Sequence, residues 1–224
     1  AQVNLSSRPE RVFFGVSTQG ERRIYWEFGH NDLTNRHMVI FGTSGMGKTY
    51  TIQCLLAELA KFGHNSLIVD YTNGFMENQL ELDFVKYVHP MQHEVRYDPI
   101  PVNPFRRLDA YRGSVAVPEP FVTTAQRITG VFSEVYQLGD QQKSVLYSCI
   151  KKGLEDEAKE PMSLDRLLAI LQQEGKTTAT VVSKIVPFVD MKPFNQGDQT
   201  GWEEWFCDEI HRCHVLQLAG YMRE

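Results

Sequence analysis

The sequence predicts an α/β fold with a mostly parallel sheet, an N-terminal β-hairpin and a helical insertion. Continuous apolar runs suit strands that are buried on both faces, and an amphipathic helical segment lies between two of these runs. Several further helical segments follow one another in the second half of the chain. We therefore expect a single domain over residues 1–224, with residues 106–206 largely forming an insertion within it.

The overall composition excludes several classes of protein. Hydrophobic residues make up 42% of the chain and charged residues 23%, as in ordinary soluble globular proteins. The formal net charge of −5 excludes a uniformly basic protein, although a local basic groove for DNA is compatible with it. No apolar run reaches the roughly 18 residues of a membrane span. The four cysteines follow no pattern, which favours the cytoplasm over a disulfide framework.

The first predicted element is the β-hairpin. Residues 11–16 and 23–28 are rich in β-branched and aromatic side chains, and residues 17–21 form a short connection that contains a glycine. The continuous apolar run at residues 37–41 then predicts a strand that is buried on both faces.

A strand–helix–strand unit is predicted from this run onward. Residues 49–62 carry apolar side chains at helical spacing, and Gly63 supplies a stop. Residues 66–70 predict a second buried strand, so the two strands should be parallel and joined by a right-handed crossover. The predicted buried face of the helix consists of Ile52, Leu55, Leu56, Leu59 and Ala60.

The remaining elements are predicted from apolar spacing and from residues that favour helix ends. Asp140 and Ser163 are candidate N-caps, Met162 and Leu167 are placed as a hydrophobic staple, and Pro187 should limit the last helix. The predicted segments are short strand-like pieces over 83–104, a loop over 106–120, helices around 128–136, after residue 140, after residue 163 and over 178–186, and a strand over 214–218.

Residues 42–49 match the phosphate-binding pattern G-x-x-x-x-G-K-[ST] in full. Glycines let successive backbone N–H groups point at phosphate oxygens, and the following helix adds the positive end of its dipole. Lys48 would reach the β- and γ-phosphates, and the Thr49 hydroxyl would ligate Mg²⁺. We therefore predict an ATP site with Mg²⁺, with Lys48 in a catalytic role. The predicted ATP-binding residues are Gly42, Thr43, Ser44, Gly45, Met46, Gly47, Lys48, Thr49 and Tyr50.

Asp70 is the second candidate catalytic residue, because it ends the strand that follows the phosphate-binding helix. Strand C-termini in such sheets face the ligand crevice. Three roles remain open on the residues alone. Asp70 could be the Mg²⁺-associated acid, it could position water near the γ-phosphate, or it could cap the turn over residues 71–74.

A possible zinc site is disfavoured by its spacing. Cys207, His211, Cys213 and His214 fit none of the structural zinc templates, so we expect buried thiols and a surface histidine.

Basic and aromatic clusters offer weaker hypotheses. Arg106, Arg107 and Arg112 could contact DNA phosphates, although an exposed basic loop is more often only solvated, and the pair at residues 151–152 is weaker still. The aromatic residues at 202, 205 and 206 are expected to pack the helical insertion rather than to stack on bases.

Four segments together resemble the HerA/FtsK group of DNA-pumping ATPases. They are the residues 37–49, 67–75, 102–105 (Val-Asn-Pro-Phe) and 135–142. Residues 42–51 and 70–75 further resemble the HerA-type ATPases of bacterial restriction systems tied to DNA phosphorothioate modification. The resemblance implies a RecA-like ATPase with additional strands, assembled into a ring, typically a hexamer, around or beside DNA. ATP hydrolysis would drive translocation, remodelling or licensing of a partner nuclease, with other restriction-complex subunits as partners.

Two departures from this group bear on the chemistry. The loop at residues 72–74 lacks the usual acid, and no later apolar strand ends in Asp-Glu, where such ATPases keep the Mg²⁺ acid and the catalytic glutamate. In that layout Asp70 is not the main metal acid. We expect the acidic strand to lie beyond residue 224, in a longer protein, and Arg223 is a candidate trans-acting arginine by position only.

Two rival functions remain open. The chain could be an ATP-binding scaffold for nuclease subunits with little hydrolysis of its own, a reading that the missing acid pair motivates. A small-molecule kinase of P-loop type is supported by the phosphate-binding loop alone.

Overall fold

The computed structural model describes residues 11–30, 32–195 and 201–221. The chain divides into two compact units, the first formed by Ala1–His93 with Trp205–Glu224 and the second by Glu94–Glu204. The described strands are β1 (Val12–Val16), β2 (Arg23–Trp26), β3 (Ser66–Asp70), β4 (Met91–Glu94), β5 (Asp109–Arg112), β6 (Val115–Pro118) and β7 (Cys213–Gln217). The described helices are α1 (Lys48–Lys61), α2 (Leu82–Val88), α3 (Phe121–Tyr136), α4 (Asp140–Glu155), α5 (Leu164–Gln173), α6 (Ala179–Asp190) and α7 (Gly201–Cys207).

The first unit contains a sheet of strand order β3-β7-β4. Strands β3 and β7 are parallel, with Ser66 opposite Cys213 and Asp70 opposite Gln217, which confirms the predicted parallel sheet and the predicted strands at both segments. The apolar core of this unit joins α1, β3, α2 and β7 and includes Ala57, Ala60, Ile68, Phe84, Val88 and Val215. The sheet therefore holds the carboxyl end of β3 in a defined position beside the end of β7.

The N-terminal hairpin is confirmed, since β1 and β2 pair antiparallel with an irregularity between Phe13 and Gly15. The helix predicted over residues 49–62 is also confirmed as α1, and Gly63 follows its end with φ of 84°. Its buried face is partly as predicted, because Ala60 is buried and Ile52 and Leu56 pack against the core, but Gln53 and Ala57 are buried as well.

The strand predicted at residues 37–41 is wrong, because this segment has neither strand nor helix conformation. Val39 is 81% exposed and Phe41 87% exposed. A β-strand is held by hydrogen bonds to a neighbouring strand, and the described part of the chain provides no such neighbour for these residues. The predicted strand–helix–strand unit is therefore present only as α1 followed by β3.

The segment between β3 and the second unit was predicted as strand-like pieces, and this is only partly right. It contains the helix α2 before the short strand β4. Phe84 and Val88 are the buried residues of α2, and their four-residue spacing marks one face of a helix.

The second unit is built on the helices α3–α6 around one apolar cluster. Members of that cluster include Phe132, Leu146, Ile150, Leu154, Leu167, Leu171 and Ile185. The loop predicted over 106–120 is wrong in part, because it contains the antiparallel hairpin of β5 and β6.

One of the three predicted helix ends in this unit is confirmed, and the other two predictions are wrong. The Ser163 hydroxyl accepts a hydrogen bond from the Arg166 N–H at 3.1 Å, and the staple residues Met162 and Leu167 are fully buried, which confirms that N-cap. Asp140 is not a cap but the first residue of α4, whose N-cap is Gly139. Helix α6 continues through Pro187 to Asp190, beyond the predicted limit.

Among the residues that the structure describes, no helix is both long and apolar enough to cross a membrane.

Candidate nucleotide-binding site

The loop at residues 42–47 connects directly to the N-terminus of α1 and is exposed along its length. Gly45 and Gly47 have φ of 81° and 78°, in the left-handed region that favours glycine. A Cβ built on either residue would meet nothing within 4 Å, so backbone conformation rather than crowding requires glycine there. The sequence pattern is therefore matched by the backbone shape that a phosphate cradle needs.

The N-terminus of α1 is electrostatically prepared for an anion. No acidic residue lies in its first turn, so the positive end of the helix dipole is not neutralised locally. The Lys48 ammonium group donates a hydrogen bond to the Thr43 carbonyl at 2.8 Å, which folds the side chain back across the loop. Lys48 thus places a positive charge over the same exposed loop.

Thr49, the predicted Mg²⁺ ligand, lies against the loop that follows β3. A Cβ built on Gly74 would come 3.6 Å from Thr49 Oγ1 and 3.2 Å from Thr72 Oγ1. The structure therefore brings the β3 loop and the first turn of α1 together, as expected if both border one site.

Asp70 is buried at the end of β3 and organises that loop. Its Oδ1 accepts hydrogen bonds from the Thr72 N–H at 2.9 Å and the Thr72 hydroxyl at 3.0 Å, and its Oδ2 accepts one from the Phe75 N–H at 2.9 Å. Burial alone would raise the pKa of Asp70, but these bonds and one from the Gln217 side chain stabilise the carboxylate, so the net pKa is lowered. This geometry is that of the turn-capping role considered above.

Glutamines behind the site were missed by the sequence reasoning. Gln53 on α1 is buried, donates to the Gln79 carbonyl at 3.1 Å and accepts from the Glu81 N–H at 2.7 Å. Gln92 donates to the Phe75 carbonyl at 2.8 Å and accepts from Gln217 at 3.2 Å. Gln53 thus joins α1 to the segment before α2, and Gln92 and Gln217 join β4 and β7 to the loop that Asp70 shapes.

Only indirect signals could have pointed to these glutamines. Gln53 is a polar residue inside an amphipathic helix, and Gln217 is a polar residue that ends an apolar strand.

Tyr50 is half exposed on α1, directly after Thr49. A side-chain hydrogen bond with Cys54 is the main cause that raises the pKa of Tyr50. The nine predicted ATP-binding residues lie next to one another, in the exposed loop at residues 42–47 and in the first turn of α1.

The residues considered for zinc have other surroundings, and the expected burial is partly wrong. Cys213 is buried, and burial raises the pKa of its thiol to about 11, but Cys207 is exposed. His214 is buried rather than at the surface, with Nδ1 2.9 Å from His93 Nε2. Asp208 accepts a hydrogen bond from the His211 backbone N–H and lies 2.8 Å from His211 Nδ1. Within the described residues no group of three His, Cys, Asp or Glu side chains could hold a metal ion.

Trp205 does not pack the helical insertion as expected. Its ring stacks on His93 at 4.2 Å and on His214 at 4.9 Å, within the first unit. Phe206 is about half exposed.

Two of the three arginines considered for DNA, Arg106 and Arg107, have partners within the second unit, and the side chain of Arg112 lies outside the described part of the structure. Arg106 forms an ion pair with Glu203 at 2.6 Å. Arg107 donates to the Glu119 carbonyl at 2.7 Å and lies 4.2 Å over the Phe121 ring. Arg223 lies outside the described residues.

Comparisons with known proteins bear on the family and the fold of the chain. Residues 20–193 match the model of the family described as Helicase HerA, central domain (DUF87). No curated protein matches the sequence. The solved structure of VirB4 of Thermoanaerobacter pseudethanolicus is similar with a TM-score of 0.56 and 14% identity, over 81% of this chain and 49% of that one. The chain thus spans about half the length of that protein, and the likeness shows a shared fold.

Proposed function

The chain belongs to the family of the HerA central domain, and we propose that it is the ATP-binding and ATP-hydrolysing core of a HerA-like DNA translocase or remodelling ATPase. The observation that carries the proposal is the glycine loop at residues 42–47, with left-handed Gly45 and Gly47, at the unneutralised N-terminus of α1. Such a cradle fits the phosphates of a nucleoside triphosphate.

The residues of the chain have distinct parts in this proposal. Backbone N–H groups of residues 43–49 would hold the phosphates, and Lys48 would leave the Thr43 carbonyl to meet the β- and γ-phosphates. The Thr49 hydroxyl would ligate Mg²⁺, which when bound neutralises phosphate charge. Asp70 would act as a positioning residue, because its hydrogen bonds hold the loop that lies against Thr49.

The test is binding of a fluorescent ATP analogue with Mg²⁺ to the Lys48→Ala variant. Loss of a charge-assisted contact should weaken binding roughly tenfold to a hundredfold, since such bonds contribute about 1.5–3 kcal/mol. Lys159→Ala removes an exposed surface lysine outside the loop and serves as the matched control. Unchanged binding by a folded Lys48→Ala variant would remove the basis of the proposal.

The finer proposal is a DptH-type ATPase that serves a phosphorothioation-dependent restriction system. It is supported by the resemblance of residues 42–51 and 70–75 to that group. In this proposal the chain is RecA-like, acts in the cytoplasm within a ring of copies, typically a hexamer, on DNA, and works with other restriction-complex subunits. The test is a pull-down from its own cells with this chain as the bait. Recovery of nuclease subunits supports this role, and their absence from the pull-down contradicts it and leaves a general translocase.

The scaffold alternative is favoured by one observation. Both carboxylate oxygens of Asp70 already accept hydrogen bonds from the loop, and β7 ends in Gln217 rather than in an acid. A protein of that kind would bind ATP but turn it over slowly. Single-turnover hydrolysis with and without DNA separates the two, because robust DNA-stimulated turnover is incompatible with the scaffold role.

A further inference from the structure

A cleft of about 590 Å³ lies within the first unit, between α1 and α2, with β1 at one side. Its aromatic walls are Phe13, Tyr50 and Tyr87, which are 48%, 55% and 46% exposed. Exposed aromatic rings that line a concave surface are typical of binding sites rather than of ordinary solvated surface. We call this surface the α1–α2 cleft.

One part of the α1–α2 cleft already holds a cation. The Lys61 ammonium group lies 2.5 Å from the Glu58 carboxylate and 5.0 Å from the centroid of the Tyr87 ring. A positive charge between a carboxylate and an aromatic face is stabilised both by Coulomb attraction and by the quadrupole of the ring. The α1–α2 cleft therefore already accommodates one positively charged side chain, that of Lys61.

The cleft carries two further carboxylates besides Glu58, and one of them, Asp83, also contributes to the raised pKa of Lys61. Glu81 and Asp83 line the cleft together with Tyr50 and Phe13. Neither acidic side chain forms an ion pair with any residue in the described part of the chain. Both negative charges act on the same neighbourhood, since each of them contributes to the raised pKa of Tyr50. Three acidic side chains thus line the cleft with a single lysine, beside the exposed rings of Tyr50 and Phe13, and this excess of negative charge is complementary to an incoming positive group.

The cleft is also preformed. Gln53 at its base bonds to the backbone at Gln79 and Glu81, which ties the start of α2 to α1. Phe84 fills the space beneath and is fully buried. Little conformational entropy would be lost from the cleft itself on binding.

We propose that the α1–α2 cleft binds an arginine- or lysine-bearing segment of a partner protein. The cationic side chain lies between the Tyr50 ring and the carboxylates of Glu81 and Asp83, and apolar neighbours of the segment cover Phe13 and the exposed Leu82. Because Tyr50 directly follows Thr49 on α1, the partner contacts the same helix whose N-terminus forms the phosphate cradle.

The experiment is a titration of the full chain with a short glycine–serine peptide that carries two arginines, followed by amide chemical shifts in NMR. The matched peptide carries citrulline, which keeps the shape of arginine without its charge. We expect shifts at residues 50, 54, 81, 83 and 87 with the arginine peptide and not with the citrulline peptide. Equal effects of both peptides, or shifts confined to other surfaces, would overturn the proposal.

Charge-removing variants locate the contact. Glu81→Gln with Asp83→Asn should weaken binding of the arginine peptide roughly tenfold, as expected for two exposed ion pairs with a cation–π contribution. Glu77→Gln with Glu134→Gln removes the same charge from outside the cleft and should leave binding unchanged. A well-dispersed NMR spectrum of each variant shows that it is folded.

Two other occupants are outcomes of the same experiment. Concentration-dependent shifts at these residues without peptide would show that a second copy of the chain fills the cleft, and the proposal would fail. Shifts at these residues on addition of adenosine, together with none from the arginine peptide, would make it a base-binding pocket and would likewise overturn the proposal.

Discussion

The two units of the chain are stabilised by different kinds of interior. The second unit buries one continuous apolar cluster contributed by helices, including Leu146, Ile150 and Leu171. The first unit buries a smaller apolar cluster and, beside it, the polar side chains of Gln53, Asp70, His93 and His214. The second unit also buries hydrogen-bonded polar side chains, such as Asn103 and Thr178, but those described are uncharged amides and hydroxyls. The first unit instead buries a carboxylate and two histidines, so its stability depends also on protonation. Four changes test this contrast between the two units, and they are given from the largest expected effect to the smallest.

The largest effect is expected from Leu146→Ala in the apolar cluster of the second unit. Leu146 is fully buried, so its truncation should lower the free energy of unfolding by about 2–5 kcal/mol. Urea denaturation measures the loss, and hydrogen exchange should show it in the amides of α3–α6. Val131→Ala on the exposed side of α3 is the control, with an expected change below about 0.5 kcal/mol. A loss below about 1 kcal/mol for Leu146→Ala would contradict the packing account.

The second change is acidification, which should destabilise the first unit. Burial is the main cause that lowers the pKa of His214 to about 4. The charges of His93 and His211 lower this pKa further, whereas the charge of Asp208 raises it. The pKa of Asp208 is itself lowered to about 2, so Asp208 stays charged in this range. Between about pH 6.5 and 4 the unfolded chain binds a proton at this histidine and the folded chain does not, so stability falls as pH falls.

The size of this effect is up to roughly 3 kcal/mol over that window. His214→Gln keeps a hydrogen-bonding partner for His93 but does not titrate, so its stability should vary less between these pH values. His30→Gln, at an exposed histidine, should behave as the parent protein does. An unchanged pH profile in the His214→Gln variant would show that this histidine is not the sensitive group.

The third change is Asp70→Asn, which tests the polar organisation of the loop after β3. An amide N–H₂ in place of one carboxylate oxygen would face the N–H of Phe75 or of Thr72 and leave a buried donor unpaired. The expected cost at neutral pH is about 1–3 kcal/mol of unfolding free energy.

The pH dependence of this variant supplies an internal check. Because the pKa of Asp70 is lowered in the folded state, its stabilising contribution is present above the ordinary pKa and disappears as pH falls through the folded value. The difference between Asp70→Asn and the parent protein, measured by denaturation at a series of pH values, should therefore shrink below about pH 4. A constant difference would show that the charge of Asp70 has no part in it.

The smallest effect is expected from Gly74→Ala. The added methyl group would lie 3.2 Å from Thr72 Oγ1 and 3.6 Å from Thr49 Oγ1, so the loop or Thr49 must shift slightly. We expect a stability change below about 1 kcal/mol and weakening of Mg²⁺-dependent nucleotide binding by about two- to fivefold. Gly130→Ala on α3 has open space around it and should stabilise the chain slightly. Equal nucleotide affinity in both variants would show that Gly74 has no part in nucleotide binding.

Much of the second unit was predictable because its helices are specified by local spacing. Apolar residues at helical intervals, the Ser163 cap and the Met162–Leu167 staple all have the predicted roles. Pro187 was misjudged as a helix end, since α6 continues to Asp190. The hairpin of β5 and β6 was missed because its large side chains, such as Tyr111 and Val115, are exposed, so no alternation of buried and exposed residues marks it.

Only the part of the candidate site that is formed by consecutive residues was predictable from the sequence. The phosphate-binding loop is a contiguous pattern, and two of its glycines, Gly45 and Gly47, have the left-handed conformation that favours glycine. The segment at residues 37–41 was mispredicted because an apolar run specifies burial but not the neighbour that a strand requires. Gln92 meets Gln217, and Gln53 meets the backbone at residues 79 and 81, only through tertiary structure, so one sequence contains no spacing that could reveal these contacts.

The exposed run at residues 37–41 also has a consequence for handling the protein. It is apolar after its first histidine, carries no proline and no acidic or basic charge beyond that histidine, and displays Val39 and Phe41 to solvent. Short segments of this composition pair readily with their own kind in other molecules. In concentrated solution these five residues should therefore promote self-association of the chain, directly beside the loop at residues 42–47.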